Sequence, residues 1–463
     1  MKRTLRAFQL HSRTSLHLKQ SVVFACLHYR GEPSEASRSR VWRRKITTPS
    51  IENFHRVPDA TPIEEELLPG YRAEDYFPVM IGQTLDSRYS ILCKLGCGVG
   101  STVWLAKDVK YNSNFIVNLP HLILHIPNRV SRTSKYRAVK VCTRSTKGAA
   151  VPAQARQEVA VAEYLETAPV QEHPGRRRVR TALDSFTLNG PHGTHTCLVY
   201  EPQGMTFTEL CDYLPESRLP KRMLQTNIQL LLISMDYLHK NRIVHTDISP
   251  NNILVGATED TPFSRLEKDE LARPVARKVL PDRTIYMSRP VPISDGKLIL
   301  SDMGSARFGQ ETFKGDIMPD VYRAPEVILG MEWSSKVDLW SVGIWDLLEG
   351  KRLFHAKKDG VLDDEQHLAE MVSLMGNPPS EFLQRSEISA RFFDNAGNWK
   401  GSTPIPDQSF ESRITQVQGE DKDLLLGLVR DVLCWLPEQR PTAEEMAYDD
   451  FLMQAYFAGR SKD

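Results

Sequence analysis

His245-Thr246-Asp247-Ile248-Ser249-Pro250-Asn251-Asn252-Ile253-Leu254-Val255 is the stretch on which the reading of the chain turns. It follows a helical pattern ending near His239 and sets a carboxylate, Asp247, five residues ahead of a carboxamide, Asn252. Both lie on a tight loop that runs into an apolar strand. A carboxylate so placed can take or orient the proton of an attacking hydroxyl, and a carboxamide oxygen can hold a hard cation beside phosphates. By itself, a turn rich in Asp, Pro and Asn is more often only a turn. The decision rests on what flanks it.

Upstream, Leu224, Ile228, Leu231, Met235 and Leu238 recur at helical spacing, which predicts a core helix over Leu224 to Leu238 that delivers the chain into the loop. Before it, Thr196 to Tyr200 reads as a strand and Glu201-Pro202-Gln203-Gly204 as a connector whose backbone groups can pair with a purine edge. Pro202 removes one donor there and leaves those of Glu201 and Gln203. Farther back, the strand Tyr136 to Val141 carries Lys140 among apolar neighbours, where an unpaired ammonium is costly. Phosphates and Glu158, on a helix predicted over Gln154 to Leu165, would supply the counter-charge; Glu163 is the second candidate on that helix. From Tyr89 the chain alternates apolar and polar residues, breaks at Gly96-Cys97-Gly98-Val99-Gly100-Ser101 and resumes as Thr102-Val103-Trp104-Leu105. Glycines in such a turn let backbone N–H groups approach phosphates closely, although a plain hairpin shares the pattern.

Downstream, a mostly polar insertion, roughly 256–297, precedes the strand Leu298-Ile299-Leu300 and then Asp302-Met303-Gly304. A carboxylate at a strand end, followed by a glycine, can ligate magnesium that bridges phosphates. Tyr322-Arg323-Ala324-Pro325-Glu326, Asp338-Leu339-Trp340-Ser341-Val342-Gly343 and Glu438-Gln439-Arg440-Pro441 come next. Singly, each is turn or helix punctuation; in this order, chance is negligible.

The remainder of the chain bounds the function. With 463 residues, 41% of them apolar and 25% charged, the chain has room for two or three ordinary globular lobes. A net charge of +1 gives no hint of a bulk nucleic-acid or membrane binder, and no apolar run reaches the roughly 20 residues needed to span a bilayer. Seven scattered cysteines form neither a disulfide framework nor a zinc site, which fits a reducing compartment. The first 45 or so residues are rich in arginine, with Glu32 and Glu35 their only acids. A mitochondrial transit peptide and a disordered basic tail both fit that composition. Glu64, Glu65 and Glu66, then Tyr71 to Val79, read as an ordered approach to a domain that begins near Tyr89. The apolar segment 112–135, broken by Pro120 and Pro127, is too short to span a membrane and reads as an extraneous insertion.

Taken together, the motifs resemble those of eukaryotic-type protein kinases over about Tyr89 to Phe457. Within them the chain is similar to the SR-protein kinases of fungal type, on Ser101-Thr102-Val103-Trp104-Leu105, His245-Thr246-Asp247, the approach Tyr76-Phe77-Pro78-Val79 and the insertion that divides the core. Tyr322-Arg323 and the helical region around His367 to Gly376 match the wider group of cyclin-dependent and mitogen-activated kinases. The resemblance implies an α+β, two-lobed kinase fold: a basic segment over 1–60, a lead-in over 61–88 and a kinase domain over 89–457. In that domain the small lobe would cover 89–200, the hinge 201–204 and the large lobe 205–457. It further implies transfer of the γ-phosphate of ATP to serine or threonine. Asp247 would act as base, Asn252 and Asp302 as Mg2+ ligands, and Lys140 with Glu158 on the phosphates. Gly96, Gly98, Ser101, Val103, Ala138, Lys140, Glu201 and Gln203 would hold the nucleotide. Glu326 would pair with Arg440, and Asp338 would brace the catalytic loop. Protein substrates, Arg/Ser-rich in the subgroup, are the implied partners, with no nucleic acid or membrane and a monomeric chain in the cytoplasm or nucleus.

Three departures have consequences. Thr246 replaces an arginine that in many kinases grips a phosphate on the activation segment, so activity independent of that phosphorylation is expected. Ser249 stands where the family commonly has lysine, which removes a cation from the moving phosphoryl group; one such preorganised contact is typically worth about 2.7–4 kcal/mol. Between Asp338 and Gly350 the chain is about two residues short of the family pattern. Losing two residues from a helix rotates its downstream part by about 200° and shortens the axis by about 3 Å; either a loop around Gly350 absorbs the shift, or this copy folds poorly or its gene model is imperfect. Two function classes stand: an active serine/threonine kinase, favoured by Asp247, Asn252, Asp302 and Lys140, and a pseudokinase scaffold, favoured by Ser249, the shortened helix and the apolar insertion. A small-molecule phosphotransferase is a distant third, since it has no need of Tyr322 to Glu326 or Arg440.

Overall fold

The alternation that starts at Tyr89 forms the small lobe. Strands β1 (Thr84–Leu85), β2 (Tyr89–Gly98), β3 (Ser101–Asp108), β4 (Tyr136–Cys142), β5 (Asp184–Gly190) and β6 (Gly193–Tyr200) make an antiparallel sheet in the order β1-β2-β3-β4-β6-β5. These elements belong to a computed structural model that describes residues 54–110, 134–144 and 152–460 apart from 295, 319 and 343. The arginine-rich start of the chain and nearly all of the apolar insertion 112–135 lie outside the described residues. Gly98 faces Ser101 in the β2–β3 register, so Val99 and Gly100 are the corner of a two-residue hairpin.

One helix, α1 (Ala153–Thr167), stands against the sheet. Its buried positions include Ala155, Glu158, Ala162 and Leu165, a helical stripe. Glu158 therefore lies on the inward face, where its carboxylate needs partners.

The large lobe is mainly helical. After α2 (Phe207–Asp212), capped by Thr206 and Glu209, comes α3 (Lys221–Lys240), which buries the predicted Leu224, Ile228, Leu231, Met235 and Leu238. Two small ladders then frame the decisive loop. Strand β7 (Ile243–Val244) precedes it and β8 (Ile253–Val255) closes it.

The insertion 256–297 differs from the polar excursion expected of it. It folds as α4 (Thr261–Ala272) and the hairpin β9 (Arg277–Val279) and β10 (Thr284–Tyr286), and it returns to the small lobe. Phe263 and Leu266 pack with Cys93, Leu105 and Tyr136, while Tyr286 sets an edge against Trp104 with ring centres 5.7 Å apart. Glu267 accepts from Lys107 Nζ at 2.8 Å and Tyr136 OH at 2.6 Å. A few apolar residues at long intervals, masked by polar composition, supply this packing.

Strand β11 (Leu298–Leu300) pairs with β8, and β12 (Arg307–Phe308) with β7, so the segment that carries Asp302 lies directly beside the His245–Val255 loop. Beyond it, Arg440 and Glu326 form a buried bidentate pair at 2.6 and 2.8 Å, both side chains at most 1% exposed.

The helix that is two residues short is interrupted: α6 is not continuous with the helix after it. Following α5 (Pro325–Ile328), α6 (Lys336–Trp340) stops, and α7 (Ile344–Glu349) starts four residues past its end. The break therefore falls upstream of Gly350, the place expected to absorb it. At Gly350 itself the backbone packs closely on Glu216, where a Cβ would lie 2.4 Å from that residue's carbonyl oxygen. Trp340, Val342, Trp345, Leu347 and Leu348 all remain buried across the break. A cavity of about 50 Å³ remains beside it, lined by Trp340, Trp345, Phe354 and Val432 among others. Among the described residues, no helix is long and apolar enough to cross a membrane.

Candidate active site

Strand β4 brings Lys140 to the mouth of the interlobe cleft, with its side chain 20% exposed. Its Nζ lies 2.6 Å from Glu158 Oε1 and 3.7 Å from Asp302 Oδ2. Burial opposes the ammonium charge, but Glu158 and then Asp302 more than offset this, so the pKa of Lys140 is raised. Glu163 has no part in this pair. The other oxygen of Glu158 accepts the hydroxyl of Tyr200, the last residue of β6. Burial first, then the charge of Glu158, push the Tyr200 phenol well above its usual pKa, which fixes it as the donor.

Across the cleft, the loop is held by its own backbone and by Asp338. Asp338 Oδ2 accepts the N–H of His245 and Oδ1 that of Thr246, both at 2.8 Å, while His239 Nε2 meets Oδ2 at 2.9 Å. His245 Nε2 reaches the Ser301 carbonyl at 3.0 Å. Thr246 has φ +66°, and Asp302 φ +68°. Such left-handed backbone costs roughly 1–3 kcal/mol at a non-glycine residue and persists where surroundings over-determine it. Here the Asp338 carboxylate and the His245–Ser301 contact do so.

Asn252 Nδ2 donates to the carbonyl of Asp247 at 2.8 Å and to its Oδ2 at 2.9 Å. With its amide group donated to Asp247, Asn252 could hold a cation only through Oδ1. Burial raises the pKa of Asp247 against the lowering effects of His245 and Asn252, while Asp302 and Asp338 add to the rise. Asp302 is the opposite case. Burial works against its charge, but Lys140 and the N–H of Gly304, 3.1 Å from Oδ1, hold it below the ordinary carboxylate value. Its side chain is 42% exposed, so an ionised oxygen remains open to the cleft. Two oxygen ligands, one anionic and one neutral, suit a hard divalent cation such as magnesium.

The other residues expected at the site lie on the glycine-rich turn, strands β3 and β4 and the connector after β6. Gly96 and Gly98 have open space where a Cβ would stand, and Ser101 begins β3 at the turn. Val103 and Ala138 share one apolar cluster with Leu198 and Tyr200. In the connector, Gly204 is required: a Cβ there would lie 2.6 Å from the Val255 carbonyl oxygen, to which its own N–H donates at 2.7 Å. The Gln203 side chain turns inward and accepts from Ala257 N at 3.1 Å, leaving only its backbone for a ligand.

The sequence reading missed Tyr200 and Arg180. The guanidinium of Arg180 stacks on the Tyr200 ring at 4.4 Å and its Nε donates to the Glu201 carbonyl at 3.0 Å. Burial lowers its pKa, opposed by Tyr200 and Glu158. A cation thus already occupies one lone pair of the connector carbonyl. A phenol closing an apolar strand needs a partner, and that was the available signal for Tyr200. Arg180 ends a run of arginines that reads as a solvated surface.

Thr246 and Ser249 also have definite places. Thr246 Oγ1 donates to the Ser305 carbonyl at 2.9 Å, a neutral tie between the catalytic loop and the segment after Asp302. Ser249 is buried at the start of the short turn Pro250–Asn252. The charges acting most on Asp247 come from His245, Asp302 and Asp338, none of them a lysine or arginine.

A fold with a sheet lobe, a helical lobe and a cleft set with a Lys–Glu pair, an Asp–Asn loop and an Asp–Met–Gly carboxylate defines a class of phosphotransferase. The family model described as protein kinase domain matches residues 128–452, and the chain belongs to the protein kinase family. A serine/threonine protein kinase of Aspergillus fumigatus is 36% identical over 415 residues, covering 88% of this chain and 95% of its own. The serine/threonine-protein kinase SRPK of Physarum polycephalum is 29% identical, over 82% of this chain and 90% of its own, and protein kinase dsk1 of Schizosaccharomyces pombe 23%, over 84% and 85%. The crystal structure of a kinase domain with 20% identity superposes with a TM-score of 0.59, covering 82% of this chain and 99% of that one. The protein is thus a protein serine/threonine kinase, similar to the SRPK group.

Proposed function

We propose that the protein transfers the γ-phosphate of magnesium-ATP to serine or threonine hydroxyls of Arg/Ser-rich protein substrates. The observation that carries this reading is the position of Lys140 Nζ, 2.6 Å from Glu158 and 3.7 Å from Asp302, in a cleft closed on the other side by the Asp247–Asn252 pair. In this reading Lys140 holds phosphate oxygens, Glu158 holds Lys140, and Asn252 Oδ1 with Asp302 holds magnesium. Bound there, magnesium would neutralise charge on the phosphates. Asp247, kept near the cleft by Asn252, takes or orients the proton of the substrate hydroxyl. Glu311 and Asp316, exposed on the segment between Asp302 and Glu326, already pair with arginines, Arg242 at 3.6 Å and Arg323 at 3.4 Å, a contact an arginine-rich peptide would have to displace; a relative named SRPK supports the same class.

The test is γ-phosphate transfer from magnesium-ATP to an Arg/Ser-repeat peptide and, in parallel, to a generic basic protein, with a folded Asp302→Asn variant as control. Transfer to the repeat peptide that is lost in the variant is the expected result. Ser249, standing where the family commonly has a lysine and buried at the start of the turn Pro250–Asn252, favours a second reading, a nucleotide-binding scaffold. No transfer, with nucleotide still raising the Tm, would establish that one instead.

A further inference from the structure

The lead-in upstream of β2 has no part in the proposed phosphoryl transfer, yet it touches the glycine-rich turn directly. Tyr76, 7% exposed, places its hydroxyl 3.1 Å from the Gly98 carbonyl oxygen and 3.0 Å from that of Val99. One phenol proton is shared between two consecutive carbonyls at the tip of the hairpin. Burial raises the Tyr76 pKa to about 12, so the phenol stays a donor across the physiological range.

The geometry of the peptide bond turns this contact into an aiming device. In a planar trans peptide the C=O and N–H point in opposite directions. The carbonyl of Gly98 shares its plane with the N–H of Val99, and the carbonyl of Val99 with the N–H of Gly100. Fixing both carbonyls on the Tyr76 side therefore sends two successive N–H groups to the other side. Val99 is 63% exposed and Gly98 has open space around its missing side chain; the Gly100 carbonyl, in the next peptide unit, is held separately by the Thr143 N–H at 2.9 Å.

Tyr76 can do this because its own segment is fixed at both ends. Arg144, just past β4, donates its N–H to the Asp75 carbonyl at 2.8 Å and its Nε to Asp75 Oδ1 at 2.7 Å. Arg283, from the insertion, donates to the carbonyls of Ala73 and Tyr76. Upstream, Glu64 accepts from Ser288 N at 2.8 Å and Ser288 Oγ at 2.7 Å, and Glu66 accepts from Lys278 at 2.6 Å. Glu65 pairs with Lys94 of β2, whose side chain is fully buried, and Cys97 Sγ in the turn donates to Glu64 at 3.4 Å. The insertion thus braces the lead-in, and the lead-in braces the strand and turn.

We infer that Tyr76 is a positioning residue for nucleotide binding, which presets the Val99 and Gly100 N–H groups toward the phosphates. The inference rests on the reading that the turn covers a nucleotide, and the experiment separates the two. In the full chain, Tyr76→Phe keeps the buried ring and removes only the hydroxyl. Calorimetric Kd values are measured for magnesium with a non-hydrolysable ATP analogue and for adenosine, alongside KM for ATP, kcat, Tm and amide exchange over 96–101. Analogue Kd and KM for ATP are expected to rise about 3- to 12-fold, with kcat and adenosine affinity within twofold, Tm unchanged and exchange at 96–101 faster. Equal analogue affinity in variant and parent overturns the inference, as does an equal loss for adenosine, which would mark Tyr76 as a general packing residue. If the parent chain binds neither analogue nor adenosine, the kinase reading fails first and the inference with it.

Discussion

Tyr200→Phe tests whether the Lys140–Glu158 pair is held from behind. The substitution deletes one hydroxyl and leaves the ring in its cluster with Ala138 and Leu198. Glu158 keeps Lys140 at 2.6 Å and loses its second partner. A hydrogen bond to a charged acceptor is worth about 1.5–3 kcal/mol net. At about 1.4 kcal/mol per tenfold, that is up to roughly 10- to 150-fold in the preference for the engaged position of Glu158. Arg180 stacks on the ring, 4.4 Å from its centre, and is untouched by the change, so the effect reports the hydroxyl alone. The assay is the steady-state kcat/KM for ATP at saturating peptide. A fall of about tenfold or more is expected, with Tm little changed because the ring still fills its space. A fall of less than twofold would refute the idea that the phenol positions Glu158.

Further outcomes rest on the catalytic loop and on the buried pair of the large lobe. Burial raises the Asp247 pKa, and only its carboxylate can accept a proton, so kcat/KM is expected to decline on the acid side above the ordinary aspartate value of about 3.9. Because the folded-state value is the higher one, the ionised carboxylate opposes folding once the pH exceeds it. Asp247→Asn should therefore raise the Tm at pH 7.5, by an amount that shrinks on acidification; thermal melts from pH 4 to 8 would expose the reverse trend. Glu326→Gln strands a buried guanidinium and should cost about 3–5 kcal/mol, which at about 2.1 cal/mol/K per residue lowers the Tm by about 3–5 °C for 463 residues. Replacing Glu326 and Arg440 together with Leu should recover at least half of that loss, and a double variant as unstable as the sum of the singles would contradict it. Finally, the Thr246–Ser305 tie requires no phosphate, so phosphatase treatment should leave turnover within twofold; its abolition would show that a phosphorylated segment is needed.

What the sequence disclosed about this site depended on how near each residue's partner lies along the chain. Asp247 and Asn252 are five positions apart on one loop, and Gly304 is two from Asp302, so their chemistry shows in a short window. Lys140 was legible for another reason: a charge inside an apolar strand demands a counter-charge, and the next helix carried one. Tyr200 and Arg180 failed that visibility, since each looks ordinary where it stands and acquires its role from elements brought together by the sheet. The helix break shows the same limit. A count of residues pointed to the shortage, but not to the break between α6 and α7, upstream of Gly350, where the buried Trp340 and Trp345 lie on either side of it.

The demand that exposed Lys140 could have been pressed further. Lys94 sits between Cys93 and Leu95 in a strand as apolar as that of Lys140, and it is fully buried. By the same argument it required an acid, and the run Glu64, Glu65 and Glu66 was the densest group of acids upstream, beyond Glu74, Asp75 and Asp86. Read only as the start of an ordered approach, that run had no partner assigned to it. Read as the counter-charge of Lys94, it would have docked the lead-in onto β2 and placed Tyr71 to Val79 beside the glycine-rich turn before any coordinates. All three glutamates prove to be engaged: Glu64 by Ser288, Glu65 by Lys94 and Glu66 by Lys278. Buried lysines are therefore the better guide to this lead-in than its own composition, because desolvation leaves them no choice of partner while a surface acid has many.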